Sequence, residues 1–123
     1  MFERTSPLWA AATALLLSAG PALAEYRPVT DKAEFLGLIA GKALTNRLYN
    51  LTLSVSPDGQ IAGSALGWEV TGSWAWQDGF FCREMAWGGD PIPYNCQLVE
   101  VDGDEMRFTV DQGAGDSASF RLR

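Results

Sequence analysis

The residues best equipped for chemistry lie between positions 68 and 87. Trp68, Trp74, Trp76 and Trp87, four of the five tryptophans in the chain, share this stretch with Phe81, Met85 and Arg83. Large rings supply apolar contact area, and their faces attract cations. A guanidinium among them can hold a carboxylate or phosphate through paired N–H donors. Trp68, Trp74, Trp76, Arg83 and Trp87 therefore outline a cup for a small apolar or anionic ligand. The competing reading makes the same rings the packed core of a small domain. Arg83 must then reach a carboxylate, the rim or a ring face, because an unpaired buried charge is very costly.

A second candidate is the run Gly88-Gly89-Asp90-Pro91-Ile92-Pro93-Tyr94. Two prolines stiffen it, so a loop here would lose little entropy on docking. Asp90, Pro91, Ile92, Pro93 and Tyr94 form a candidate interaction or inhibitory loop toward a protein partner. Other patterns carry less. Asp102, Asp104 and Glu105 cluster at one turn and Asp111 and Asp116 at another, without the D-x-D-x-D-G spacing of a calcium loop. They read as solvated turns, and no metal site is expected. Gly113-Ala114-Gly115-Asp116-Ser117-Ala118 spells a dinucleotide fingerprint by letter. That fingerprint needs a following helix and an acidic residue about 20 positions on, and the chain ends at Arg123. The glycines read as a loop, and no cofactor is expected. The absence of histidine excludes imidazole-based nucleophilic and metal sites. A net charge of −6 argues against nucleic acid. These exclusions favour binding over catalysis.

The elements that must position these residues can be read next. Leu8 to Ala19 is an apolar run too short to span a bilayer, and Ala22-Leu23-Ala24 is a cleavage pattern. Residues 1–24 are thus expected to be an export signal and 25–123 a single periplasmic or secreted domain without a membrane span. Glu3 and Arg4 cancel, so the domain keeps the whole net charge. In an oxidising compartment Cys82 and Cys96 are expected to pair as a structural disulfide.

One helix is predicted near the start. Asp31 and Glu34 have capping-box spacing, Phe35, Leu36 and Ile39 form an apolar stripe, and Gly41 is a natural stop. From there the chain alternates in short runs between turn signals, the pattern of an antiparallel β domain. A turn at Pro57-Asp58-Gly59 pairs Val55 with Ile61 and Leu53 with Gly63. A two-residue turn at Asp78-Gly79 pairs Trp76 with Phe81, Trp74 with Arg83, Gly72 with Met85 and Val70 with Trp87. Around Asp102-Gly103, Val99, Val101, Met106 and Phe108 share a face, and Cys96, Glu100 and Arg107 share the other. Seven or eight strands in so short a chain must curl into a small antiparallel β-barrel or tight sandwich to hide their edges. The N-terminal helix then plugs one end or packs outside.

Several groups also resemble known families. Gly41-Lys42, Gly72-Ser73-Trp74 with Trp76, and Asp78-Gly79-Phe80-Phe81-Cys82-Arg83-Glu84 followed by Cys96-Gln97-Leu98-Val99 resemble a family of short exported bacterial proteins of unknown function, over most of residues 35–123. Some of its sequences carry the label dihydrodipicolinate reductase. That enzyme has two domains and an N-terminal nucleotide fold, which need more length and a strand–helix alternation that this sequence does not show. Gly72-x-Trp74 and Arg121 are distantly similar to the G-x-W and arginine signature of lipocalin-like barrels, which implies a barrel with a small apolar ligand. The signature opens the first strand in that family and stands mid-chain here. In size and disulfide the chain is also similar to small periplasmic lysozyme inhibitors. The combined expectation is an exported, non-enzymatic binding protein for a small molecule, with a module recognising a periplasmic protein as the alternative.

Overall fold

The computed structural model describes residues 25–123, so the expected export segment lies outside the described residues. Strand β1 (Arg27–Val29) leads into helix α1 (Lys32–Ile39). Eight strands follow: β2 (Leu44–Asn46), β3 (Leu51–Val55), β4 (Gln60–Ala65), β5 (Trp68–Gln77), β6 (Phe80–Trp87), β7 (Asp90–Asp102), β8 (Glu105–Thr109) and β9 (Ser117–Leu122). These eight close an antiparallel barrel, with β2 joined to β9 and β8 returning to β7. β1 adds to the C-terminal half of β7, Val29 opposite Val99 and Arg27 opposite Val101.

Turn chemistry sets the register. Asp78 and Gly79 both take left-handed backbone, φ 53° and 86°, as a two-residue hairpin turn requires. Trp76 then faces Phe81, Trp74 faces Arg83, Gly72 faces Met85 and Val70 faces Trp87, as the turn arithmetic predicts. Val55 pairs with Ile61 and Leu53 with Gly63, and Val99 pairs with Phe108 and Val101 with Met106. Cys82 and Cys96 are direct cross-strand partners on β6 and β7 and form a disulfide on the face opposite Phe81 and Arg83. A bridge closing about 15 residues contributes roughly 3 kcal/mol in the chain-entropy model.

Two local expectations are corrected. Asp90 to Tyr94 is not a loop but the start of β7, with Trp87 opposite Asp90 and Met85 opposite Ile92. Gly88 and Gly89, at φ 57° and 90°, fill both left-handed positions of a two-residue turn, so the chain reverses before Asp90. Up to Gln97, β7 pairs only with β6, so the missing N–H groups of Pro91 and Pro93 fall on an edge without a ladder. The Asp31–Glu34 capping box does not form either. Asp31 makes no side-chain cap bond, and the Glu34 carboxylate instead accepts from Arg27 Nη1 at 2.6 Å, because β1 brings that arginine alongside.

The helix plugs one end of the barrel, burying Phe35 and Ile39 and packing Leu36 and Leu38 against the core. Phe35 is fully buried, with ring centroids 5.5 Å from Trp74, 5.0 Å from Trp76 and 5.4 Å from Phe81. Phe35→Ala is expected to lower unfolding stability by about 3–5 kcal/mol. Urea denaturation followed by tryptophan fluorescence measures this, and a loss below about 1 kcal/mol would show that the helix is not the plug.

Candidate ligand site

Alternation along each strand aims one set of side chains inward. Leu53 and Val55 of β3, Ile61 of β4, Phe81, Arg83 and Met85 of β6, Gln97 of β7, Phe108 of β8 and Phe120 of β9 all belong to it. The helix fills one end, and away from it the interior stays open. A cavity of about 330 Å³ is walled by Leu44, Leu53, Val55, Ile61 and Phe120, with Arg83, Gln97, Asp116 and Ser117 as its polar groups. A neighbouring cavity of about 390 Å³ runs toward Tyr49, Leu66, Val70 and Trp87. Leu53, Met85, Ile92, Ala118 and Phe120 line both.

Arg83 is the unusual member. It is 7% exposed, and its Nη1 donates to the Pro93 carbonyl oxygen at 2.8 Å. That carbonyl is presented by a β-bulge, where the register shifts between Arg83 and Met85 and β7 carries one residue more than β6. Among the described residues no carboxylate lies within ion-pair distance of Arg83. A guanidinium has five N–H donors, so most are free to meet a ligand. Burial pulls the guanidinium pKa below its ordinary value, since desolvation disfavours the charged form. Gln97 is 8% exposed and lines the same cavity. Its cross-strand partner is Phe81, while Arg83 faces Asn95, so the guanidinium and the carboxamide are diagonal neighbours on one face. Asp116 is exposed and is the sole carboxylate lining this cavity.

The five residues of the expected cup are divided. Trp74 and Trp76 serve the plug: Trp74 stacks on Phe81 at 5.3 Å and donates from Nε1 to Ser56 O at 2.9 Å, and Trp76 donates to Thr30 O at 3.3 Å. Arg83 lines the first cavity and Trp87 the second, where its Nε1 donates to Ala65 O at 2.8 Å. Trp68, 62% exposed, lies on the outer rim beside Gly88. The expected interaction segment meets the cup, because Ile92 lines both cavities and Pro93 holds Arg83. Asp90, Pro91 and Tyr94 remain exposed. Gln97 is the residue the sequence reading passed over. Parity contained the signal, since a strand that sends Val99 and Val101 inward also sends Gln97 inward.

The chain matches no protein-family model, no curated protein and no solved structure. The Gly72-x-Trp74 pair sits in β5, and Arg121 of β9 is ion-paired with Asp104 at 2.9 Å.

Arg83 is desolvated for the sake of one backbone hydrogen bond, so its removal should cost the fold little. Replacing a buried charge by an apolar side chain of similar length is often neutral or stabilising. Arg83→Met is expected to stay within about 1 kcal/mol of the wild type, or above it, in urea unfolding. A loss above about 3 kcal/mol would mean that Arg83 is held for the fold and not for a ligand.

Proposed function

We propose that this protein is an exported, non-enzymatic binding protein for a small amphipathic anion. The anionic group meets Arg83 and Gln97, and the apolar part fills the cavity. The observation that carries the reading is a guanidinium at 7% exposure, without an ion-paired carboxylate among the described residues, on the wall of a largely apolar cavity. An unpaired charge in such surroundings is expensive. An anion would offset that cost and form charge-assisted hydrogen bonds, the stronger kind. A cavity of about 330 Å³ is within the ordinary size for a small-molecule site. Of the lining polar groups, Arg83 and the Gln97 carboxamide suit holding an anion. A chain without histidine offers no imidazole base to activate Ser117, so binding is favoured over turnover. Export is supported by the apolar segment with its cleavage pattern and by the disulfide.

The alternative, docking of a protein on Asp90–Tyr94, has less support. That edge of β7 is free, but Pro91 and Pro93 remove the donors that an added strand would need.

Titration with decanoate and with decanol, followed by intrinsic tryptophan fluorescence, tests the reading. Decanoate is expected to bind more tightly than decanol, and Arg83→Met to weaken decanoate about tenfold to a hundredfold with little effect on decanol. Absence of any fluorescence response to either compound, confirmed by calorimetry, would overturn it.

A further inference from the structure

Resting on that reading, we infer that the ligand is a linear chain and not a compact ring system. Its head sits at Arg83 and Gln97. Its tail passes Met85 and Ile92 into the second cavity and ends beneath Tyr49, Leu66 and Trp87. Four observations carry this. The first is a polarity gradient. Arg83, Gln97, Asp116 and Ser117 all line the first cavity, whereas in the second the one amide, that of Asn46, already donates to Ser119 O and accepts from Leu48 N. The second is continuity, since five residues line both spaces.

The third is the passage between them. Met85 lies opposite Gly72 and is paired with Ile92. A Cβ on Gly72 would come within 2.8 Å of Met85 Cγ, so the glycine clears the space in which the methionine lies. An unbranched thioether adapts its rotamers to a sliding chain better than a branched side chain would.

The fourth is the mouth. Leu48, Tyr49, Leu66, Trp68 and Trp87 are exposed, with Leu48 at 79% and Leu66 at 51%. Tyr49, Leu66 and Trp87 are brought together because Leu66 N donates to Tyr49 O at 2.8 Å and Trp87 Nε1 donates to Ala65 O, and all three line the second cavity. Scattered exposed apolar residues need no explanation, whereas a contiguous patch does. Leu66 itself sits at φ 51°, left-handed backbone that strains a leucine and costs a glycine almost nothing. Apolar surface kept in a strained turn is accounted for if a hydrocarbon tail comes to lie against it.

The test is a series of straight-chain carboxylates from hexanoate to tetradecanoate, each below its micelle concentration, measured by calorimetry beside 1-naphthoate and 2-naphthoate. Affinity is expected to rise about fourfold per methylene and to keep rising beyond octanoate, with the naphthoates weaker than decanoate. Met85→Trp should lose the gain of tetradecanoate over octanoate. Leu66→Gly, which relieves strain and therefore folds, should lower the affinity for tetradecanoate relative to octanoate at least threefold. An affinity that levels at octanoate in the wild type, naphthoates that bind as tightly as tetradecanoate, or variants that weaken both chain lengths equally would overturn the linear ligand while leaving an anion site at Arg83 in place. Failure of every acid to bind would overturn both.

Discussion

Phe35 reaches from the single α-helix among the described residues into the end of the barrel, and its burial decides how the rest of the interior is used. Its ring meets Trp74, Trp76, Phe81 and Phe108. Rings packed edge-on and tilted in this way fill a barrel end densely. Four other rings are gathered around it there. What remains inside are side chains such as Leu53, Val55, Ile61, Met85 and Ala118, too small to meet across the middle. An eight-stranded barrel has an interior that side chains can just fill or that can hold one small ligand. Here the plug takes the first option at one end and leaves the second at the other.

The open end is organised around a charge. Arg83 faces the cavity because it alternates with Phe81 and Met85 on β6, and its one protein acceptor comes from the bulge at Pro93. The bulge, the two prolines and the Gly88-Gly89 turn are consequences of the same arrangement. The N-terminal half of β7 is bonded on one side only, so it can take proline, bend, and turn a carbonyl toward the guanidinium. The Cys82–Cys96 disulfide fastens this same stretch to β6 one residue away from Arg83. The residues that first looked like an independent docking loop are thereby part of the wall that holds the cavity-facing cation.

Much of this was legible before any coordinates. Alternation fixed which side chains share a face, and turn types fixed which strand positions oppose each other. Both are local properties, because the side-chain period in a strand is two and a two-residue turn allows one pairing. The pairs Trp74–Arg83 and Gly72–Met85 follow from those rules, the helix from Lys32 to Ile39 from its apolar stripe and glycine stop, and the choice between barrel and sandwich was left to the tertiary structure. The short strands β1 and β2 escaped notice, because three residues show no period and their pairing with β7 and β9 depends on distant chain.

Parity gives direction but not depth. Trp68, Trp74, Trp76 and Trp87 share a face by sequence, yet Trp74 is buried under the helix, Trp87 borders a cavity and Trp68 stands in solvent. Whether an inward residue meets a packed ring or empty space depends on where α1 lands and how the barrel closes. Both are set by contacts between residues far apart in the chain. The sequence alone determined that Arg83 would stand on the apolar face. The tertiary structure decided that one carbonyl would meet it and that a cavity would remain beside it.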